Sequence, residues 1–158
     1  LALLSRNANL EYVTFETNGT QALKPELSSY LDASDLDITF SVSSKLPVSG
    51  HSWEETIKPD VLLEYYWAGT TYLKWVIATE EDMADVQKAI ELYREGFDEE
   101  SPLSSVRLED IPIYLMPVGG TAEGYFLNNK RVAELAMKAG YRYSPRLQVE
   151  LWKNKWGT

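Results

Sequence analysis

An α/β fold on a mostly parallel sheet is what the sequence predicts, and two observations predict it. Short apolar runs rich in β-branched and aromatic residues alternate with segments of helical period, the signature of βα units rather than of a sandwich. Three of those runs also end in polar or small residues at a tight turn, which places polar groups along one rim of the expected sheet. The runs are Glu11 to Phe15, Leu36 to Val42, Tyr72 to Ala78 and Ile111 to Met116, each short enough for a buried strand.

Between the first two runs, Pro25 predicts a short helix, because proline is tolerated only in the first turn; Pro59 predicts another before the third run. The clearest helix starts at Thr79, whose hydroxyl can cap the turn while Glu80, Glu81 and Asp82 face the positive end of the helix dipole. Met83, Val86, Ile90, Tyr93 and Phe97 follow at helical spacing and form its buried stripe. The run Asp98 to Pro102 reads as a solvated loop. A further helix is expected from about Asn129 to Lys138, with Val132, Leu135 and Ala139 inward and Gly140 as its stop. Tyr141 to Trp152 reads as an extended tail of mixed polarity.

At 158 residues and 44% apolar content, the chain suits one globular domain with a real core. Its net charge of -9 argues against a dedicated nucleic-acid surface. No apolar run approaches the ~18 residues of a membrane span, and no signal-peptide pattern is present, so a cytoplasmic location is the default. Cysteine is absent, which removes disulfides, zinc thiolates and thiolate ligands for an iron–sulfur cluster from these residues. Leu1-Ala2-Leu3-Leu4 resembles the inside of an amphipathic helix with no capping residue ahead of it, and the simplest expectation is a truncated start.

Ligands of parallel sheets bind outside the carboxyl ends of the strands. Three groups of residues stand at those ends. In Glu16-Thr17-Asn18-Gly19-Thr20, Glu16 can accept hydrogen bonds, Asn18 can donate and accept, and Gly19 admits close approach to the backbone; the same letters also suit a plain turn. Ser43-Ser44-Lys45 offers two hydroxyls and a cation to a carboxylate or sugar edge, or is an exposed serine-rich loop. Met116-Pro117-Val118-Gly119 ends the fourth run with a backbone against which a planar ring could rest, or is a plain strand exit. Lys74 interrupts an apolar strand and must either snorkel or meet a negative partner. His51, the one histidine, has no neighbours at ligand spacing and reads as surface. No nucleophile elbow, P-loop or Gly-x-Gly-x-x-Gly follows a strand. Composition and spacing thus reach an α/β ligand-binding half-barrel.

The run Tyr12 to Thr20, then Ser43-Ser44-Lys45-Leu46 with Ser49-Gly50, then Tyr114-Leu115-Met116-Pro117, in that order, resembles the 7-carboxy-7-deazaguanine synthases, a family of radical S-adenosylmethionine enzymes. Lys74 on its strand and the closing Ser144-Pro145-Arg146-Leu147 through Thr158 extend the resemblance over nearly the whole chain. It implies a partial (βα)6 barrel of which these residues supply about the last four units, as the C-terminal part of one domain. The cysteines for a [4Fe–4S] cluster, a magnesium-linked threonine and a Gly-Gly-Glu-Pro motif would then lie ahead of Leu1, leaving this stretch inactive alone.

The resemblance further implies that Glu16, Asn18, Ser43, Ser44, Lys45, Met116, Pro117, Val118 and Gly119 bind S-adenosylmethionine, and that Lys74 and Gln148 face the substrate. No catalytic residue and no metal ligand is assigned within these residues. Two positions depart from the family pattern: Ser44 stands where proline is common, and Gln148 where histidine is found. The implied reaction is a lyase step that contracts 6-carboxy-5,6,7,8-tetrahydropterin to 7-carboxy-7-deazaguanine, toward queuosine and related deazapurines, with S-adenosylmethionine, the cluster and Mg2+ as cofactors. The pterin and an electron donor such as flavodoxin would be its partners, a homodimer being a possible assembly. A glycyl-radical-activating enzyme and a non-catalytic module binding S-adenosylmethionine or a nucleotide remain as alternatives.

Overall fold

A computed structural model describes residues 10–100, 106–119 and 122–153. The expectations for the opening Leu1 to Leu4, for Ser101-Pro102 and for the closing Asn154 to Thr158 fall outside those residues. The chain runs β1 (Tyr12–Thr17), α1 (Pro25–Asp32), β2 (Asp37–Val42), α2 (Trp53–Thr56), α3 (Pro59–Ala68), β3 (Thr70–Ile77), α4 (Glu80–Glu100), β4 (Ile113–Pro117), α5 (Ala122–Ala139), β5 (Arg142–Tyr143) and α6 (Leu147–Trp152). The five strands form one sheet in the order β1-β2-β3-β4-β5, with every pairing parallel.

That order decides where the helices go. A crossover between neighbouring parallel strands is right-handed, so a sheet wound in one direction puts all its crossover helices on the same face, as in a barrel wall. Ile38, Phe40 and Val42 of β2, Leu73, Trp75 and Ile77 of β3 and Leu115 of β4 point to that face and are buried with Val61 and Leu62 of α3, Val86 and Tyr93 of α4 and Val132 of α5. Stacked rings carry the core outward to the edge: Phe15 lies 5.3 Å from Phe40, which lies 4.6 Å from Tyr65. β1 is paired on one side by β2 and, among the described residues, forms an edge of the sheet.

Local chemistry explains the helix starts. α1 and α3 begin at Pro25 and Pro59. At the head of α4, Thr79 Oγ1 accepts from the Asp82 amide at 3.2 Å, while Asp82 Oδ2 accepts from the amides of Ala78 and Thr79 at 2.8 and 2.9 Å, a reciprocal cap. The stripe from Met83 to Phe97 is buried as its spacing predicts.

Three readings of the sequence need correction. Asp98 to Glu100 continue α4 rather than forming a loop, because a helix on the surface tolerates a solvated charge run as readily as a loop does. The helix expected from Asn129 begins at Ala122, its first turns masked in the sequence by Gly124 and the large residues Tyr125 and Phe126. Tyr141 to Trp152 is no extended tail: it supplies the two-residue β5 and the helix α6.

Candidate functional site

Residues paired across a parallel sheet share a face, so the register defines the surface opposite the crossover helices. Glu16 pairs with Ser41, Ser41 with Tyr72, Lys74 with Tyr114, Val76 with Met116 and Tyr114 with Arg142. Glu16, Ser41, Tyr72, Lys74, Val76, Tyr114, Met116 and Arg142 therefore form one band. Parallel sheets are normally covered on both faces by helices and read apolar throughout. This band is polar and aromatic instead, as the inner wall of a barrel that holds a ligand would be.

Lys74 meets the negative partner that its position demands. Its Nζ donates to Glu16 Oε1 at 3.3 Å, reaching from β3 across β2 to β1, with the Lys74 side chain 16% exposed and that of Glu16 77% exposed. On the same band the Tyr72 and Tyr114 rings lie 5.0 Å apart, and the Arg142 guanidinium donates to the Tyr114 hydroxyl at 2.8 Å while resting 5.4 Å from its ring. Ser41 is fully buried between the Glu16 and Tyr72 positions, and its Oγ has no hydrogen-bond partner. An unpaired buried hydroxyl costs about 1–3 kcal/mol. Among the described residues that Oγ is left with its donor and acceptor capacity unused.

The carboxyl ends of the strands bring the other candidates to one rim, with different degrees of freedom. Asn18 Oδ1 accepts from the Thr20 amide at 3.2 Å and from the Thr20 hydroxyl at 2.8 Å, so that oxygen is held within its own turn. Gly19 adopts a left-handed φ of +76°, and a Cβ there would sit 2.7 Å from Val42 Cγ1, so glycine is required by packing as well as by the turn. The loop after β1 is fastened to α3, the Leu23 amide donating to Glu64 Oε2 at 2.8 Å and the Tyr65 hydroxyl to the Gln21 carbonyl. Ser43 is half-buried and Lys45 exposed at the end of β2. Ser44 differs from both: it is buried, with its Oγ 2.6 Å from the Tyr93 hydroxyl inside the core. Burial pushes the Tyr93 phenol up to about 12, against the opposing effect of the Ser44 hydrogen bond.

Met116 lies on the polar band, Pro117 is buried, Val118 is exposed and Gly119 packs beneath α5. Gln148 is exposed on α6 and makes no described contact with the band. His51 is exposed as expected but lies 3.8 Å from Glu55, a carboxylate neighbour one helical turn away that its spacing did not suggest. The sequence reading overlooked Ser41, Tyr72, Tyr114 and Arg142. The signal was available for two of them, since two-residue alternation from Lys74 marks Tyr72, and from Met116 marks Tyr114.

Among the described residues no group of three or more His, Cys, Asp or Glu could hold a metal ion, and the 158-residue chain has no cysteine, so these residues do not themselves fit an iron–sulfur cluster. No helix of the described residues is long and apolar enough to cross a membrane.

The fold and site define a singly wound parallel α/β sheet with a polar inner face and a loop rim at its carboxyl edge. Two curated proteins are similar to the chain. A 7-carboxy-7-deazaguanine synthase of Halobacterium salinarum is 30% identical over 98% of this chain and 60% of that protein, and one of Pyrobaculum aerophilum is 25% identical over 92% of this chain and 54% of that protein. The chain thus spans little more than half the length of either relative. No family model matches the chain, and no solved structure gives a significant match.

Proposed function

We infer that this chain forms the S-adenosylmethionine-facing and substrate-facing part of a 7-carboxy-7-deazaguanine synthase, a carbon–nitrogen lyase acting on 6-carboxytetrahydropterin. The observation that carries the reading is the polar inner band, where a buried, unpartnered Ser41 hydroxyl lies beside the Glu16–Lys74 ion pair. The similarity to two such synthases supports S-adenosylmethionine as the ligand of that band.

The residues present suit S-adenosylmethionine. Lys74 offers a partly buried ammonium paired with Glu16, Ser43 and Lys45 offer a hydroxyl and a cation at the rim, and Ser41 offers an unspent hydroxyl. Asn18 and the backbone from Met116 to Gly119 complete the rim, and Ser44 supports it from below through Tyr93. When bound, S-adenosylmethionine supplies the hydrogen-abstracting chemistry. The chain's own work is to hold the nucleoside and the pterin in contact and exclude water. Gln148 is proposed to face the pterin from α6. The cluster and Mg2+ find no ligand set among the described residues, and no step is assigned to them here.

The test is an anaerobic product assay on the complete polypeptide with S-adenosylmethionine, a reductant and 6-carboxytetrahydropterin. Formation of 7-carboxy-7-deazaguanine, lost in Lys74→Met, is expected; turnover of S-adenosylmethionine with no such product would contradict the reading.

A further inference from the structure

The exit of β4 is built in an unusual way. Parallel pairing continues as far as the Ser144 amide, which donates to the Leu115 carbonyl at 2.8 Å. The next ladder donor is residue 117, and Pro117 has no N–H. The one after that is the Arg146 amide, which in a regular ladder donates to the Pro117 carbonyl. Here it turns away and donates to the Tyr125 hydroxyl at 3.3 Å, while the Arg146 side chain returns, its Nε donating to the Pro117 carbonyl at 3.0 Å. A guanidinium thereby replaces a ladder bond at the strand end that leads into the rim.

Tyr125 joins the pieces. Its hydroxyl donates to Glu150 of α6 and also lies 3.3 Å from the Tyr143 hydroxyl of β5. A phenol has one proton and two lone pairs. With the proton on Glu150, the oxygen accepts from the Arg146 amide and from Tyr143, and its capacity is filled. The ring is fully buried. From the other side, Asn128 Nδ2 donates to the Val118 carbonyl at 3.4 Å and to the Gly124 carbonyl at 3.0 Å. Gly119 lies so close to α5 that an added Cβ would stand 2.5 Å from the Tyr125 amide nitrogen.

We propose that Tyr125 and Arg146 are positioning residues that fix the backbone from Pro117 to Gly119, so that the geometry of the nucleoside-facing rim is set by β5 and α6. The inference rests on the proposed function for its ligand, but not for the latch itself. Arg146 holds the carbonyl of Pro117 from outside the sheet, and Tyr125 holds Arg146; neither needs to touch the ligand. The result is a rim whose shape depends on the segment from Ser144 to Glu150, far along the chain from the other rim loops.

The experiment uses the complete polypeptide and three variants, Tyr125→Phe, Arg146→Met and Arg146→Lys, with S-adenosylmethionine and 6-carboxytetrahydropterin titrated separately and amide exchange followed at Val118. Expected are an about tenfold loss of S-adenosylmethionine affinity in Tyr125→Phe and Arg146→Met, the pterin affinity unchanged, and recovery in Arg146→Lys, whose ammonium can still donate to the Pro117 carbonyl. The loss for one ligand alone distinguishes positioning from general destabilisation. Affinity within about twofold of the parent in both variants overturns the proposal. Should the parent itself take up no S-adenosylmethionine, the functional reading fails and Val118 decides the latch: exchange about tenfold faster in Arg146→Met upholds it, and unchanged exchange overturns it.

Discussion

Tyr93 and Ser44 meet inside the core, just beneath the loop that follows β2. The Tyr93 phenol, pushed up to about 12 from 10.0 by burial, is favoured in its neutral form by the folded state. Its contribution is complete below the ordinary tyrosine range and is lost as pH rises through about 12, since the folded protein then holds a proton that the unfolded chain has released. The loss should reach roughly 2–3 kcal/mol. Urea titrations from pH 9 to 12 should show stability falling more steeply in the parent than in Tyr93→Phe. A residual slope is expected in that variant, because burial also raises Tyr125 and Tyr141. At neutral pH Tyr93→Phe should cost about 1–2 kcal/mol by leaving the Ser44 hydroxyl buried and unpaired.

Glu16 belongs to the same scale and should behave oppositely. It is mostly exposed, so Glu16→Gln is expected to change stability by less than about 1 kcal/mol in a thermal or urea melt. The same substitution should weaken S-adenosylmethionine binding about tenfold, because a charged acceptor is lost from the band. A large loss of stability with unchanged binding would assign Glu16 to the fold instead.

Elements meet at close glycines. Gly96 in α4 faces Pro59 at the start of α3, and a Cβ added there would stand 2.2 Å from Pro59 Cγ. Alanine is the better helix former by about 1 kcal/mol. The clash with a rigid ring should outweigh that gain, and Gly96→Ala is predicted to destabilise by about 1–3 kcal/mol, measured by urea denaturation. A stabilised variant would mean that α3 and α4 can separate without loss.

At this scale the sequence was legible where periodicity was strong. The four runs named from composition became β1 to β4, and Thr79 with the stripe from Met83 to Phe97 became α4. The missing parts were short or ambiguous. β5 has two residues, Arg142 and Tyr143, and no alternation can be read from two. α6 has six, opens after Arg146 without a side-chain cap and carries apolar residues at Leu147, Leu151 and Trp152 that remain exposed. Lys74 was legible as a lysine needing a partner, and Glu16 is that partner. Ser41 was not, because a serine within Thr39-Phe40-Ser41-Val42 looks like strand filler until pairing places it on the band with Glu16 and Tyr72. Ser44 stood at the rim by sequence, and its hydroxyl is nevertheless spent on Tyr93.

The molecule as a whole is asymmetric across its sheet. One face carries the crossover helices and the apolar core; the other carries charges, hydroxyls and tyrosines. The two ends differ as well. A groove of ≈ 390 Å³ at the amino end is lined by Arg94, Glu109, Tyr141 and Arg142, with Arg94 Nε donating to Glu109 at 3.1 Å. Arg94 and Glu109 there are paired with each other, and Arg142 is shared with the polar band through Tyr114, whereas that band and the carboxyl rim hold an unspent hydroxyl and an exposed lysine. The whole-molecule claim is that ligands choose the second of these surfaces.

Backbone amide shifts on titrating S-adenosylmethionine into the isotopically labelled complete polypeptide test that claim most directly. The account predicts the largest shifts at Asn18, Ser43, Lys45, Val118 and Gly119, with Arg94, Glu109 and Tyr141 unmoved. Shifts centred on Arg94 and Tyr141, or none anywhere, would contradict it.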